Sequence, residues 1–252
     1  MMLFRIFFTL TIFSFATLVF AINEYDAIEF RELNLSLIAA AKDGDIDRVR
    51  QRLEEGASVK ARNRFGNTAL ISATRAGNLD IVKLLVEKGS SVDMVNTNAE
   101  TALMNAASGG HEDIVDYLIN NNANISKLSV KNTSALMEAV FAGHPSIVKT
   151  LLKFYADVSV EDHLGKTTLN YAAAKGNVEI IQMLVEHGAD INRQSKNNLT
   201  SLMWAAGYGK TEAVEILLKL GADTTLKDNR GMTALMIAKE NNFYGIVKLL
   251  QP

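Results

Sequence analysis

A strict repeat of 33 residues is the feature of this sequence that most limits its fold. Leucine recurs at that spacing in seven places, and alanine, glycine and a β-branched residue follow in register. The columns run from Leu37 to Leu235, Ala40 to Ala238, Gly44 to Gly209 and Val49 to Val247. A period of this length is typical of solenoids, in which a single unit cannot bury its apolar face and must stack on its neighbours.

Each unit predicts two helices and a polar turn. In the second unit, Leu70 and Ala73 stand three residues apart on one helical face, and Gly77 ends that helix in the left-handed conformation. Residues 79–88 predict a second helix with Val82 on its buried stripe. We therefore predict an all-α solenoid of about seven helix-turn-helix units.

The units resemble ankyrin repeats. The evidence is HLGKTTLNYAAAKGNVEIIQMLVEHGADIN from His163 to Asn192 and NRGMTALMIA from Asn229 to Ala238. They follow the family pattern D-x-x-G-x-T-P-L-H-x-A-A-x-x-G, then I-V-x-x-L-L-x-x-G-A-D. The resemblance covers about residues 33–250, and its methionine-bearing units resemble bacterial members. It implies a curved solenoid that binds other proteins on a concave face built by finger-like turns and first helices.

The chain departs from the family pattern at T-P-L-H, because no unit has the proline or the histidine. The histidine position holds Ile71, Asn170 and four methionines, which are Met104, Met137, Met203 and Met236. We expect apolar packing to replace hydrogen bonding between units there, since methionine adapts to irregular gaps.

Glycine is also missing from several turns. Ala99, Asn132 and Asn198 replace the turn glycine, and Tyr155 stands where glycine ends other helices. Asparagine tolerates the left-handed region, whereas alanine and tyrosine pay a steric cost there. Backbone strain is therefore expected at Ala99 and Tyr155.

The array is predicted to occupy residues 33–252 after a lead-in at residues 22–32. The expected units lie near residues 33–61, 62–94, 95–127, 128–160, 161–193, 194–226 and 227–252. Arg48 and Arg52 replace apolar residues of later units, and Lys239 and Gln251 do so at the other end. Terminal units with polar outer faces indicate a complete array of seven.

The first 21 residues have the pattern of a secretory signal peptide. Arg5 precedes an apolar run, and the segment ends at Val19-Phe20-Ala21. We expect cleavage after Ala21 and a periplasmic or secreted protein. The alternative is an uncleaved membrane anchor, for which the run falls short of the roughly 20 apolar residues that span a bilayer. The chain would then be a membrane-tethered structural or assembly element.

Composition argues against several function classes. The formal net charge of −2, without a basic block, disfavours nucleic acid as a partner. The absence of cysteine excludes disulfides and thiolate metal sites. The four histidines do not pair with carboxylates at ligand spacing, and no nucleotide-binding or nucleophile motif occurs. We predict a monomer that is not an enzyme, without cofactor, metal or small-molecule substrate, and with a protein partner.

Aromatic residues gather in the fourth to sixth units, at positions that should face the concave side. They are Phe141, Tyr171, Trp204 and Tyr208; Leu164 and Lys175 lie nearby, and Lys166 and Lys196 form a polar rim. The same columns are polar or small in the second and third units. Exposed Trp and Tyr dominate interface energies, which favours a partner-binding site. The alternative is that Tyr171 and Trp204 pack against each other between stacked helices.

Overall fold

A computed structural model describes residues 27–251, and over these residues the chain is a stack of helix pairs without a β-strand. The first helix of each pair is called inner and the second outer. The inner helices are α1 (residues 27–43), α3 (Ala69–Arg75), α5 (Ala102–Gly109), α7 (Ala135–Ala142), α9 (Thr168–Lys175), α11 (Ser201–Gly207) and α13 (Ala234–Glu240). The outer helices are α2 (Ile46–Glu54), α4 (Leu79–Glu87), α6 (Glu112–Asn120), α8 (Pro145–Lys153), α10 (Val178–Glu186), α12 (Thr211–Lys219) and α14 (Tyr244–Leu250).

Seven helix pairs confirm the predicted fold class. The predicted signal peptide, residues 1–21, lies outside the described residues, as do residues 22–26 of the lead-in. The rest of the lead-in belongs to α1, which runs on into the first unit without a break. None of the helices among residues 27–251 is long and apolar enough to cross a bilayer.

A hydroxyl residue starts each inner helix from α3 onward. Its side-chain oxygen accepts a hydrogen bond from the backbone N–H three residues later, as Thr101 does from Met104 at 3.2 Å and Ser134 from Met137 at 3.2 Å. This N-cap satisfies one of the amide groups that the first turn of a helix leaves without a partner. The threonine or serine of each unit therefore fixes where its inner helix begins.

The core runs along the whole stack because each inner helix from α3 onward packs on the next, and buried residues of α1 belong to the same cluster. The leucine column is at most 1% exposed from Leu37 to Leu202, whereas Leu235 in the last unit is only half-buried. The alanine column is 0% exposed throughout, so its small side chains let inner helices approach closely. Arg48 and Arg52 are half-buried in α2, and Lys239 and Gln251 are exposed in the seventh unit.

Methionine replaces the family's histidine by packing, as expected. Met104, Met137 and Met203 are at most 3% exposed. Met236 is 47% exposed because no unit follows it among the described residues. Asn170 is the exception: it is buried, and its amide donates to the Ser201 hydroxyl of the next unit at 3.0 Å.

The turns form fingers that are tied to one another by the backbone. Thr97 N–H donates to the Phe65 carbonyl at 3.1 Å, and one such bond follows between each later pair of fingers up to Asn229 and Asn197. Within a finger, a side chain such as Asp162 accepts from the amides two and four residues later, both at 2.9 Å. The fingers are therefore a connected edge of the solenoid.

The strained turn positions adopt the left-handed backbone predicted for them. Ala99 has φ 57° and Tyr155 has φ 60°, and Asn132 and Asn198 lie in the same region. Asparagine enters this region at little cost, whereas alanine and tyrosine bring a Cβ against the backbone.

Candidate functional site

Helices α7, α9 and α11, with the residue that directly follows α11, carry four aromatic side chains along the inner-helix side of the fourth to sixth units. We call Phe141, Tyr171, Trp204 and Tyr208 the aromatic cluster. Phe141 is 51% exposed and Tyr208 is 55% exposed, whereas Tyr171 and Trp204 are half-buried and pack against the core. The cluster therefore has two solvent-facing ends and two partly covered members between them.

The rings of the aromatic cluster form two pairs. Phe141 and Tyr171 meet edge to face with centroids 5.5 Å apart, and Trp204 and Tyr208 stack at 5.8 Å. The sequence-based alternative paired Tyr171 with Trp204, but the observed pairs join Tyr171 to Phe141 and Trp204 to Tyr208. Aromatic pairs in these geometries stabilise by about 0.5–1.5 kcal/mol beyond their buried area.

Two lysines lie over the rings. Lys166 Nζ is 4.4 Å from the Trp204 ring and 5.4 Å from the Tyr171 ring, so this one side chain connects the two pairs. Lys175 Nζ is 4.4 Å from the Phe141 ring. Cation–π contacts of this kind are worth about 0.5–1 kcal/mol at exposed sites. They hold positive charge directly against the apolar surface.

The hydroxyl of Tyr171 is used within the fold. It donates to the carboxylate of Asp162, which also shapes the finger of the fifth unit. Burial, followed by the hydrogen bond and the charge of Asp162, raises the pKa of Tyr171 well above its usual value. The Tyr171 hydroxyl is therefore occupied within the chain, so hydrogen bonds to a partner would come from other residues.

Trp204 presents a ring face, not its indole N–H. The Nε1 atom is out of contact with solvent and has no hydrogen-bond partner in the chain. A buried donor without a partner costs about 1–3 kcal/mol. A Trp204→Phe variant removes this unpaired donor. That gain would offset part of the stability lost because the smaller ring packs less well.

Three sets of inner-helix positions recur every 33 residues and include Trp204, Phe141 and Tyr208 respectively, and these three columns differ in burial. The column from Ser72 to Ile237 is buried at both of these ends and half-buried between them, which includes Tyr171 and Trp204. The column with Phe141 is exposed in the second to fourth units and half-buried in the fifth and sixth, and the column with Lys175 and Tyr208 is exposed in the second to sixth. Phe141, Lys175 and Tyr208 are thus the site residues that solvent reaches most freely.

Leu164 lies on the finger of the fifth unit. It is 43% exposed, and its backbone N–H donates to Asp162 at 2.9 Å. That same carboxylate also binds Tyr171, so the finger position of Leu164 and the orientation of the Tyr171 ring are coupled.

A second exposed apolar group, in the first two units, was not found from the sequence. Phe65 is 54% exposed on the finger of the second unit, with the Arg64 guanidinium 4.6 Å from its ring. Phe65, Leu35 and Arg75 are among the residues that line a cleft of about 480 Å³. The only sequence signal is one phenylalanine at a fingertip, where other units carry polar residues or leucine.

Residues 27–251 contain no group of three or more His, Asp or Glu placed to hold a metal ion.

Comparison with known proteins agrees with this architecture. The family model described as ankyrin repeats (3 copies) matches residues 37–129, 126–195 and 193–252. The chain belongs to the ankyrin-repeat family. The crystal structure of the human ASB11 ankyrin repeat domain is similar, with a TM-score of 0.77 and 26% identity over 86% of this chain and 97% of that one. No curated protein sequence matches the chain. Ankyrin repeats mediate binding between proteins, and the fold is an interaction module.

Proposed function

We propose that this ankyrin-repeat protein is a non-catalytic scaffold that holds a protein partner on its concave face, in the periplasm or outside the cell. The observation that carries the proposal is the aromatic cluster, with Phe141 and Tyr208 more than half exposed. Phe141, Tyr171, Trp204, Tyr208, Leu164 and Lys175 would contact or support the partner. We expect it to act as a monomer, without a cofactor or a small-molecule substrate.

Physical support comes from the cost of leaving aromatic side chains in water. Burying a Phe or Tyr side chain contributes about 1.5–3 kcal/mol, and neither Phe141 nor Tyr208 obtains that gain in full within the chain. The fingers and inner helices form a connected surface, so a partner would meet pre-formed geometry. Binding to a pre-formed surface avoids the entropy cost of ordering it.

A photo-cross-linking experiment tests the face. The photoreactive amino acid p-benzoyl-phenylalanine is placed at Phe141, at Tyr208 or at Lys149, which is exposed on outer helix α8. In the cells that make the protein, the two concave positions should yield the same protein adduct on irradiation, and position 149 should not. Adducts at position 149 alone would refute a concave site.

The proposed location has its own test. Protein recovered from the cell envelope or medium should have an intact mass without residues 1–21. Retention of Met1 on protein in a membrane fraction would favour the tethered structural element instead. Retention of Met1 on soluble cytosolic protein would refute export.

A further inference from the structure

We infer that the partner presents an acidic segment with an apolar side chain, which lies across the fourth to sixth units along the aromatic cluster. This inference rests on the proposed concave site and adds the chemistry of the occupant. It comes from the charge distribution around the rings.

Charge is divided unequally between the two faces of these units. The finger and inner-helix segments, residues 128–143, 161–176 and 194–209, hold four lysines and three carboxylates. The remaining segments, residues 144–160, 177–193 and 210–226, hold five Lys or Arg and seven carboxylates. In a chain of net charge −2, the concave side of these units therefore has the opposite sign to their outer side.

The concave carboxylates are already engaged. Asp162 is 6% exposed and accepts from the Tyr171 hydroxyl and two amides. Glu161 is paired with Arg193 at 2.9 Å, and Glu138 accepts from the Thr133 hydroxyl at 2.8 Å. The charge of Glu161 is therefore compensated by Arg193, and that of Asp162 is withdrawn from solvent. Glu138 is half-buried and is held by a neutral hydroxyl.

The concave lysines, in contrast, have no carboxylate partner. None of Lys131, Lys166, Lys175 and Lys196 forms an ion pair with any residue between 27 and 251. Lys166 and Lys175 instead stand over aromatic rings, 4.4 Å from Trp204 and Phe141 respectively. A carboxylate of a partner could meet such an ammonium group while an adjacent apolar side chain covers the ring.

The dimensions suit a short segment. Phe141 and Tyr208 are two units apart, and neighbouring helices pack about 8–10 Å from each other, so the cluster spans roughly 16–20 Å. An extended chain covers about 3.3 Å per residue, so roughly six residues reach from one end to the other. Acidic residues within that length would face Lys166, Lys175 and Lys196.

Selection from a random peptide library tests the inference. A phage library of peptides of about 12 residues is selected on the purified wild-type protein, on K166Q/K175Q/K196Q and on the control K83Q/K149Q/K219Q. The control lysines are exposed on outer helices and make no ion pair among the described residues. Thermal melts of both variants confirm that the fold is retained. The most enriched peptide is then synthesised with a fluorophore for anisotropy titrations.

Wild type and control should enrich acidic peptides that contain Leu, Phe or another apolar residue. The concave triple variant should bind the selected peptide about tenfold more weakly, the order expected for three exposed charge pairs. Raising the salt concentration should weaken wild-type binding and have less effect on the variant.

Other outcomes overturn the inference. Enriched peptides that are neutral or basic, an absence of enrichment on wild type, or equal affinity for the concave triple variant would each contradict an acidic occupant. A fluorescent oligothymidylate that binds the concave lysines more tightly than any peptide would do the same. The aromatic cluster is tested separately with F141S/Y208S. If the selected peptides are not acidic but lose affinity for F141S/Y208S, the acidic occupant is refuted and the proposed function stands. If acidic peptides bind F141S/Y208S as tightly as wild type, the concave aromatic site is refuted.

Discussion

The stack predicts that one leucine-to-alanine change costs very different amounts in two units. Leu136 and Leu235 occupy the same position of the repeat, but Leu136 is 0% exposed between α5 and α9, whereas Leu235 is half-buried in the last unit. Each substitution removes the same atoms from the same site of an inner helix. The pair therefore isolates burial from chemistry and from helix propensity.

The magnitude follows from the two surroundings. Leu136→Ala loses about three buried carbon groups at about 0.8 kcal/mol each, and a residual cavity of roughly 50–80 Å³ adds about 1–2 kcal/mol. We expect the free energy of unfolding to fall by about 3–5 kcal/mol. Leu235→Ala removes side-chain surface that already meets water and leaves a site open to solvent, so the expected loss is about 1–2 kcal/mol.

Urea unfolding followed by far-ultraviolet circular dichroism measures both losses. The slope of unfolding free energy against urea should stay unchanged, so that a shift in midpoint reports stability. If the two variants lose the same stability within about 0.5 kcal/mol, the leucine position is equally buried in the fourth and the seventh unit, and the account of the stack is wrong.

Two further predictions concern backbone strain and pH. Ala99→Gly and Tyr155→Gly should each raise the free energy of unfolding by about 0.5–1 kcal/mol, because glycine adopts positive φ without a clashing Cβ. Asn122→Gly, a control at φ 62° and at the same repeat position as Tyr155, should change it by less than about 0.5 kcal/mol, and an equal gain in all three would contradict strain as the cause. The raised pKa of Tyr171 means that the folded state holds the phenol proton more tightly than the unfolded state. This contribution to stability is complete below about pH 10, the unfolded value, and is lost as the pH rises toward the folded pKa. Urea midpoints between about pH 9 and 11 should therefore fall more steeply for wild type than for Tyr171→Phe, and parallel curves would refute the shift.

Much of the fold could be predicted because the repeat imposes it. A leucine, an alanine and a glycine at fixed positions specify two helices and a turn, and seven copies specify a stack. The methionine packing followed from side-chain chemistry alone. Asn170 did not, because its hydrogen bond to Ser201 depends on which side chain the next unit brings opposite to it.

The sequence predicted which residues form the site but not how deeply each one is buried. Counting in steps of 33 found the cluster residues, but this count could not show that Tyr171 and Trp204 are half-buried against the core. That depth depends on the tilt between successive inner helices. The bridging position of Lys166 depends in turn on the finger that Asp162 closes, and Phe65 was missed because a single fingertip residue forms no pattern.

The affinity of matched double variants for the cross-linked partner tests the central claim most directly. Phe141 and Tyr208 on the concave face are replaced by serine in one variant, and Phe154 and Tyr155, exposed by 42% and 94% after outer helix α8, in the other. Each of these aromatics at an interface can contribute about 2 kcal/mol, so F141S/Y208S should raise the Kd by at least about 30-fold. F154S/Y155S should change it by less than about threefold. Equal affinity of the concave variant and wild type, or a larger loss in the outer variant, would contradict a partner-binding concave face.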